Sequence, residues 1–175
     1  MEKKTSIIGL IGAMWGLAGV LALLAGACFR LWPKAVDALS FPFTWYHWAA
    51  LVAIVTGMAY AEGYKGFQKA FSPRTAARAR YLRQHPRIGH IVLAPFFCMG
   101  YFFATRRRKI TSISLTLGII LLIIVVHYIP QPWRGIIDFG VVAGLAWGIV
   151  SLLAFSFQAM GRDPYPYAPE VPDEE

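Results

Sequence analysis

Two groups of residues in the sequence carry side chains capable of chemistry. The first is a pair of histidines, His47 and His127, with Arg134 and Asp138 close behind the second. Two neutral imidazoles on facing helices are the minimum for a bis-ligated haem iron, and either ring could instead hydrogen-bond a quinone headgroup. The neighbouring Trp32, Trp45, Tyr46, Trp48, Tyr128 and Trp133 fit another account, an aromatic belt at a membrane–water interface whose polar residues reach for water. We take the belt as the expectation. A haem or quinone redox site on His47 and His127 is the alternative.

The second group is basic. Arg74, Arg78, Arg83, Arg106, Arg107 and Arg108 could clamp the phosphate of a lipid or isoprenoid headgroup, because guanidinium N–H groups meet phosphate oxygens in pairs. With Glu62, His85 or His90 as acid or base, the clamp would belong to a membrane-bound lipid-modifying enzyme. The sequence carries neither paired carboxylates nor a histidine box at the spacing such chemistry uses. Headgroup contact and orientation are therefore expected rather than catalysis. Cys28 and Cys98 are too few and too isolated for a disulfide framework or a zinc site, so neither metal nor cofactor is expected.

The elements that must position these residues follow from composition. The chain has 175 residues, of which 57 % are hydrophobic and 15 % charged. Soluble domains average about 45–50 % apolar and about 25 % charged. Mean hydropathy is +0.52, and the apolar excess is gathered into runs of about 20 residues, the length that crosses a hydrocarbon core of roughly 30 Å. A soluble globular enzyme, a disordered chain and a disulfide scaffold are excluded. The runs are Ser6–Phe29, Phe43–Ala61, Ile110–Ile129 and Ile136–Phe157. A fifth, Ile88–Thr105, is shorter and interrupted by Gly89, His90, Pro95 and Gly100. Pro130-Gln131-Pro132-Trp133-Arg134-Gly135 is so short that it forces its flanking helices into an antiparallel hairpin, since proline continues neither.

Basic residues choose between four crossings and five. The net charge is +8, from 17 Lys and Arg against 9 Asp and Glu, and without a nucleic-acid motif it points to anionic lipid rather than to DNA or RNA. The connection from Glu62 to Lys109 holds Lys65, Lys69, Arg74, Arg78, Arg80, Arg83, Arg87 and the run Arg106–Lys109. If Ile88–Thr105 crossed, these clusters would lie on opposite faces, against the positive-inside tendency. If it turns back, both join Lys3, Lys4 and Arg162 on the cytoplasmic side and leave Arg30, Lys34 and Arg134 outside. The expectation is thus an all-α integral membrane protein. Residues 1–160 form one bundle of four transmembrane helices with both termini cytoplasmic, and 88–105 is a re-entrant or surface-lying segment, tolerated where protein covers the backbone broken at Pro95. Five spans is the alternative.

Between the second run and this segment, Tyr60, Tyr64, Phe67 and Phe71 recur at helical spacing. Ser72 is then expected as an N-cap and Pro73 as the first residue of a basic surface helix ending near Gln84. Leu24-Ala25-Gly26-Ala27-Cys28 resembles a degenerate lipoprotein cleavage box. The apolar stretch before it exceeds a signal h-region of about 7–15 residues, so an uncleaved first helix is expected. The acidic, Pro-rich tail 161–175, which ends Pro172-Asp173-Glu174-Glu175, has too little apolar surface to fold alone. It is expected as a free solvated end, with a docking strip for a basic partner as the alternative.

Small residues recur in steps of three and four, which place them on one helix face. Gly9, Gly12, Gly16, Gly19 and Gly26 mark the first helix; Ala49, Ala53, Gly57 and Ala61 the second; Thr111, Ser114 and Gly118 the fourth run; and Gly140, Gly144, Gly148 and Ser151 the last. Such a glycine-zipper pattern lets backbones approach closely, the main way helices associate in lipid. Gly12, Gly16, Gly19, Gly57, Gly140, Gly144 and Gly148 are the expected packing positions. No Asp, Glu, Lys or Arg stands mid-span, which argues against a transporter or pump. The reading is a multi-pass inner-membrane protein acting through helix packing, as an accessory, assembly or scaffold subunit. It would work as a homo-oligomer or in a larger complex, with a basic cytoplasmic surface for anionic lipid headgroups or an acidic partner.

Overall fold

The computed structural model of the protein describes residues 7–161 and 163–172. Lys3, Lys4 and Ser6, Arg162, and the acidic end Asp173–Glu175 lie outside the described residues. Within them the fold is all-helical, with no strand.

Helix α1, Ile7–Asp37, is longer than the run that predicts it. It passes through Arg30, Pro33 and Lys34 before a 3₁₀ turn at Ala38–Ser40. Lys34 favours the longer helix, because a cation in the last turn meets the negative end of the dipole. Ser40 Oγ donates to the Asp37 carbonyl (2.7 Å), and Pro42 follows in extended chain. Helix α2, Trp45–Met58, is shorter than expected. Past Met58 the backbone stays helical over Ala59–Phe71 with wider π-type turns, the last closed by the Ser72 N–H on the Phe67 carbonyl. Helix α3, Ser72–Gln84, continues without a break. Ser72 is therefore not a cap: the Phe71 before it is itself helical, and the buried Ser72 hydroxyl pairs with Ser151 Oγ (2.7 Å) instead.

The 88–105 segment splits into α4, Ile88–Val92, and α5, Ala94–Met99, parted at Leu93 just before Pro95. Gly100 ends α5 at φ +85°. There the Gly100 N–H bonds the Phe97 carbonyl and the Tyr101 N–H bonds the Phe96 carbonyl, a glycine-terminated helix end that needs the left-handed conformation. Helices of five and six residues rise only about 8–9 Å each at 1.5 Å per residue. The two ends of the segment meet, with the Arg87 guanidinium 5.4 Å from the centre of the Phe103 ring.

Helix α6 spans Arg106–His127 and α7 spans Trp133–Gly161. Among the described residues, three helices are long and apolar enough to cross a membrane: 7–40, 106–127 and 133–161. The expected span 43–61 is not a single α-helix of that length. At 14 residues α2 rises about 21 Å, and the turns that extend it carry Glu62, Lys65 and Lys69.

The core sits between α1, α3, α5 and α7. Ala13, Leu17, Val20, Ala79, Leu82, Ala94, Phe97, Cys98 and Leu152 form it. The glycine face of α1 receives the 83–98 stretch: Gly9 faces the Arg83 carbonyl, Gly12 Ile91, Gly16 Cys98 and Gly19 Pro95. The corresponding face of α7 receives α2 and its extension, with Gly140 against Ile54, Gly144 against Glu62 and Gly148 against Phe67. Gly57, expected as a packing position, meets nothing within 4 Å, because α2 turns Ile54 and Met58 toward α7 instead. Ala49, Ala53, Gly57 and Ala61 are all exposed. Helix α6 stands apart, joined to the rest mainly near its start, where Ser112 Oγ donates to the Met99 carbonyl (2.9 Å) and Tyr101 pairs with Thr116.

Candidate functional site

Contacts sort the charges to two ends of the fold. At one end the start of α1, α3, the 88–103 hairpin, the start of α6 and the end of α7 meet. There Gly9 faces Arg83, and Arg83 Nη1 donates to the Met160 carbonyl (3.1 Å). At the other end, Gln131 Nε2 donates to the Lys34 carbonyl (3.1 Å) and Asp37 Oδ2 (3.2 Å), while its Oε1 accepts the Gly135 N–H (3.0 Å). This ties the α6–α7 loop to the end of α1.

Arg78 is the hub of the basic end. It is fully buried, and all five of its N–H groups reach backbone carbonyls. Nε donates to Phe97 (2.6 Å), Nη1 to Pro169 (2.9 Å) and Glu170 (3.5 Å), and Nη2 to Phe102 (2.9 Å) and Phe103 (3.0 Å). Its guanidinium also lies 4.3 Å from the centre of the Phe97 ring. Burial, more than its neighbours, brings its pKa down to about 10, so it remains a cation at neutral pH. Arg78 is therefore not the headgroup ligand its sequence position implies: a guanidinium has five donors, and none is left over.

The same side chain fastens the tail. The Thr105 N–H bonds the Glu170 carbonyl (3.0 Å), Tyr165 Oη donates to the Pro73 carbonyl (3.2 Å), and Val171 packs on the core. Burial raises the Tyr165 phenol pKa. Residues 163–172 are thus not a free end; the basic surface they dock on is the chain's own. Glu170 adopts φ +50°, a left-handed conformation that costs a non-glycine residue about 1–3 kcal/mol. Its carboxylate stands between Arg74 Nε (3.5 Å) and Arg108 Nε (3.9 Å). Nothing in the sequence singled out Glu170, although Tyr165, Tyr167 and Val171 around it are an apolar signal that composition alone passes over.

Arg80 and Arg83 finish α7. Arg80 Nη1 donates to the Ala159 carbonyl (3.0 Å) and Arg80 pairs with Asp163 (2.6 Å), while Arg83 takes Met160. Basic side chains on the last carbonyls of a helix both bond them and oppose the dipole. Arg106 and Arg107 are exposed at the start of α6.

His85 and His90 share an aromatic cluster. His85 stacks on Tyr81 (4.5 Å), and His90 on Phe97 (4.9 Å) and Phe103 (4.6 Å). Burial first, then Arg87 and Arg78, hold the His90 pKa below its ordinary value. Glu62 is exposed on the π-type turns, without ion pair or hydrogen bond to either histidine, so the three do not assemble an acid/base site. At the opposite end His47 is buried and spent on structure: its Nδ1 accepts the Thr44 N–H (3.2 Å) at the start of α2, and Trp133 packs on its ring (5.0 Å). His127 is exposed and touches Tyr128 (5.8 Å). No ring or hydrogen-bond contact joins the two histidines. Asp138, expected beside them, is buried within α7, with Arg134 Nε 4.0 Å from Oδ2. Among the described residues no three His, Cys, Asp or Glu side chains gather as metal ligands. The chain matches no protein-family model, no curated protein and no solved structure, so its own geometry carries the functional reading.

Proposed function

We propose that the chain is a multi-pass inner-membrane protein that works by helix packing, as an accessory, assembly or scaffold subunit, with a basic cytoplasmic end that meets anionic headgroups. In this reading α1, α2 with its extension, α6 and α7 cross the bilayer, and 88–105 turns back within the cytoplasmic half. The eleven basic residues from Lys65 to Lys109 then share one side, with Arg30, Lys34 and Arg134 on the other. The meeting of Arg87 with Phe103 supports the turn back.

The observation that carries the packing role is α6. Its apolar residues from Ile113 to Val125 are exposed almost without interruption, and no polar face balances them. A helix apolar all round belongs in lipid or against another chain, and small residues are what a membrane partner packs on. Thr111, Ser114 and Gly118 on α6, with Ala49, Ala53, Gly57 and Ala61 on α2, are left exposed. The test is the mass of the complex purified in mild detergent. An oligomer, or a stoichiometric complex with one membrane protein, is expected. Gly57→Leu and Gly118→Leu should break it up while leaving the helix content by circular dichroism unchanged, since neither glycine has a neighbour within 4 Å. A wild-type chain that is monomeric and alone overturns the proposal.

A further inference from the structure

Arg74 and Arg108, the latter in the first turn of α6, flank one carboxylate at the basic end, that of Glu170. The fit is poor. Its oxygens stand 3.5 Å and 3.9 Å from the two guanidinium Nε atoms, whereas charge-assisted N–H···O bonds measure about 2.7–2.9 Å. Arg108 is 5 % exposed, and its Nε is buried without a hydrogen-bond partner. Buried donors are nearly always satisfied, so an orphan aimed at an acceptor out of reach marks a place where a better acceptor belongs.

Electrostatics point the same way. Arg106, Arg107, Arg108 and Lys109 open α6 with no acid in its first turn, at the end where the helix dipole is already positive. Thr105, the residue before that turn, makes no side-chain cap, and the first turn's N–H groups lack partners within the helix. Four cations on a positive helix end favour an anion with more charge and more acceptor oxygens than one carboxylate. Arg108 also lies where α6 passes from its basic start into its apolar run, the depth of lipid phosphates around a spanning helix.

We infer that the Arg74–Arg108 pair binds the phosphate of an anionic lipid headgroup, and that the Glu170 carboxylate is a tethered occupant which the phosphate displaces. The inference rests on the reading of this end as membrane-facing. A phosphodiester brings acceptor oxygens in a tetrahedral spread to Arg74 Nε, Arg108 Nε and the open N–H groups of α6. Only the Glu170 side chain need move, because Thr105 and Arg78 hold its carbonyl. The tail therefore stays docked as the carboxylate swings out to water.

The full chain in neutral detergent, titrated with fluorescent phosphatidylglycerol, tests this. Glu170→Gln removes the competing charge and should tighten binding roughly three- to tenfold, and Arg74→Gln should loosen it by a similar factor. Arg74 is partly exposed while Arg108 is buried, so the substitution is made at Arg74, where it leaves the fold intact. Asp163→Asn removes the same charge from the same tail, where it pairs with Arg80 and not with Arg74 or Arg108, and should change binding by less than about twofold. Equal gains from Glu170→Gln and Asp163→Asn overturn displacement; a wild-type preference for phosphatidylglycerol over phosphatidylcholine would still uphold headgroup binding. Absence of that preference overturns both. Inorganic phosphate should compete only at far higher concentration; competition at the lipid's own concentration overturns the lipid as the source.

Discussion

Arg78 shows how a residue type read as a ligand becomes a structural hub. Its fork joins α3 to five carbonyls on two stretches, 97–103 and 169–170, and a lysine cannot copy that planar geometry. With three donors in place of five, Arg78→Lys loses at least two of these hydrogen bonds, at about 1–2 kcal/mol each. The variant should lose about 2–4 kcal/mol in detergent unfolding, with faster proteolysis near Tyr165. His90 supplies a pH dependence. Its folded pKa lies below the ordinary value, so the unfolded chain binds more protons and stability rises with pH across that gap. The contribution is complete above about pH 6.5 and declines as pH falls toward the folded value. Hydrogen-exchange protection over Gly89–Phe103, with the intrinsic rate divided out, should fall from about pH 7.5 to pH 5.5, and His90→Phe should remove that fall.

Among the elements, the small-residue faces divide by what they meet. A Cβ at Gly16 would stand 2.7 Å from Cys98 Sγ and 3.2 Å from the Ala94 carbonyl oxygen. Gly16→Ala should therefore destabilise by about 1–3 kcal/mol through overpacking. Gly57 has open space, and Gly57→Ala should be neutral or stabilising by up to about 1 kcal/mol through helix propensity. Thermal melts of the pair in one detergent check both signs. The spacing of the stripes was legible in the sequence; which of them would find an internal neighbour was not, because that depends on which face α2 turns to α7. The tail is a parallel case. Its composition spoke for a free end, yet deletion of 163–175 removes two acceptors of Arg78 and the partner of the Thr105 N–H. The deletion should cost about 2–3 kcal/mol, read as a lower melting temperature.

For the whole molecule, the segregation of charge is the property to test in cells. Reporter fusions at Gln84 and Lys109 should report the same side of the membrane, and fusions at Lys34 and Pro132 the other. Opposite sides for Gln84 and Lys109 would return the five-span topology. Vesicle binding through the basic end should weaken with salt, since exposed charges are screened over about 10 Å at 0.1 M.

Sequence by itself determined the helical, membrane-compatible character of the chain, its long apolar runs and the interruption at Pro95, because these are properties of local composition and period. It also marked the basic stretch and the glycine spacing. Tertiary structure alone decided that Arg78 is buried, that Glu170 faces Arg74 and Arg108, that His47 caps a helix without touching His127, and that α6 is left bare. Each of these joins residues far apart in the chain or depends on which face a helix presents. No local pattern encodes such pairings, since a guanidinium reads identically in sequence whether it meets water, a phosphate or five carbonyls.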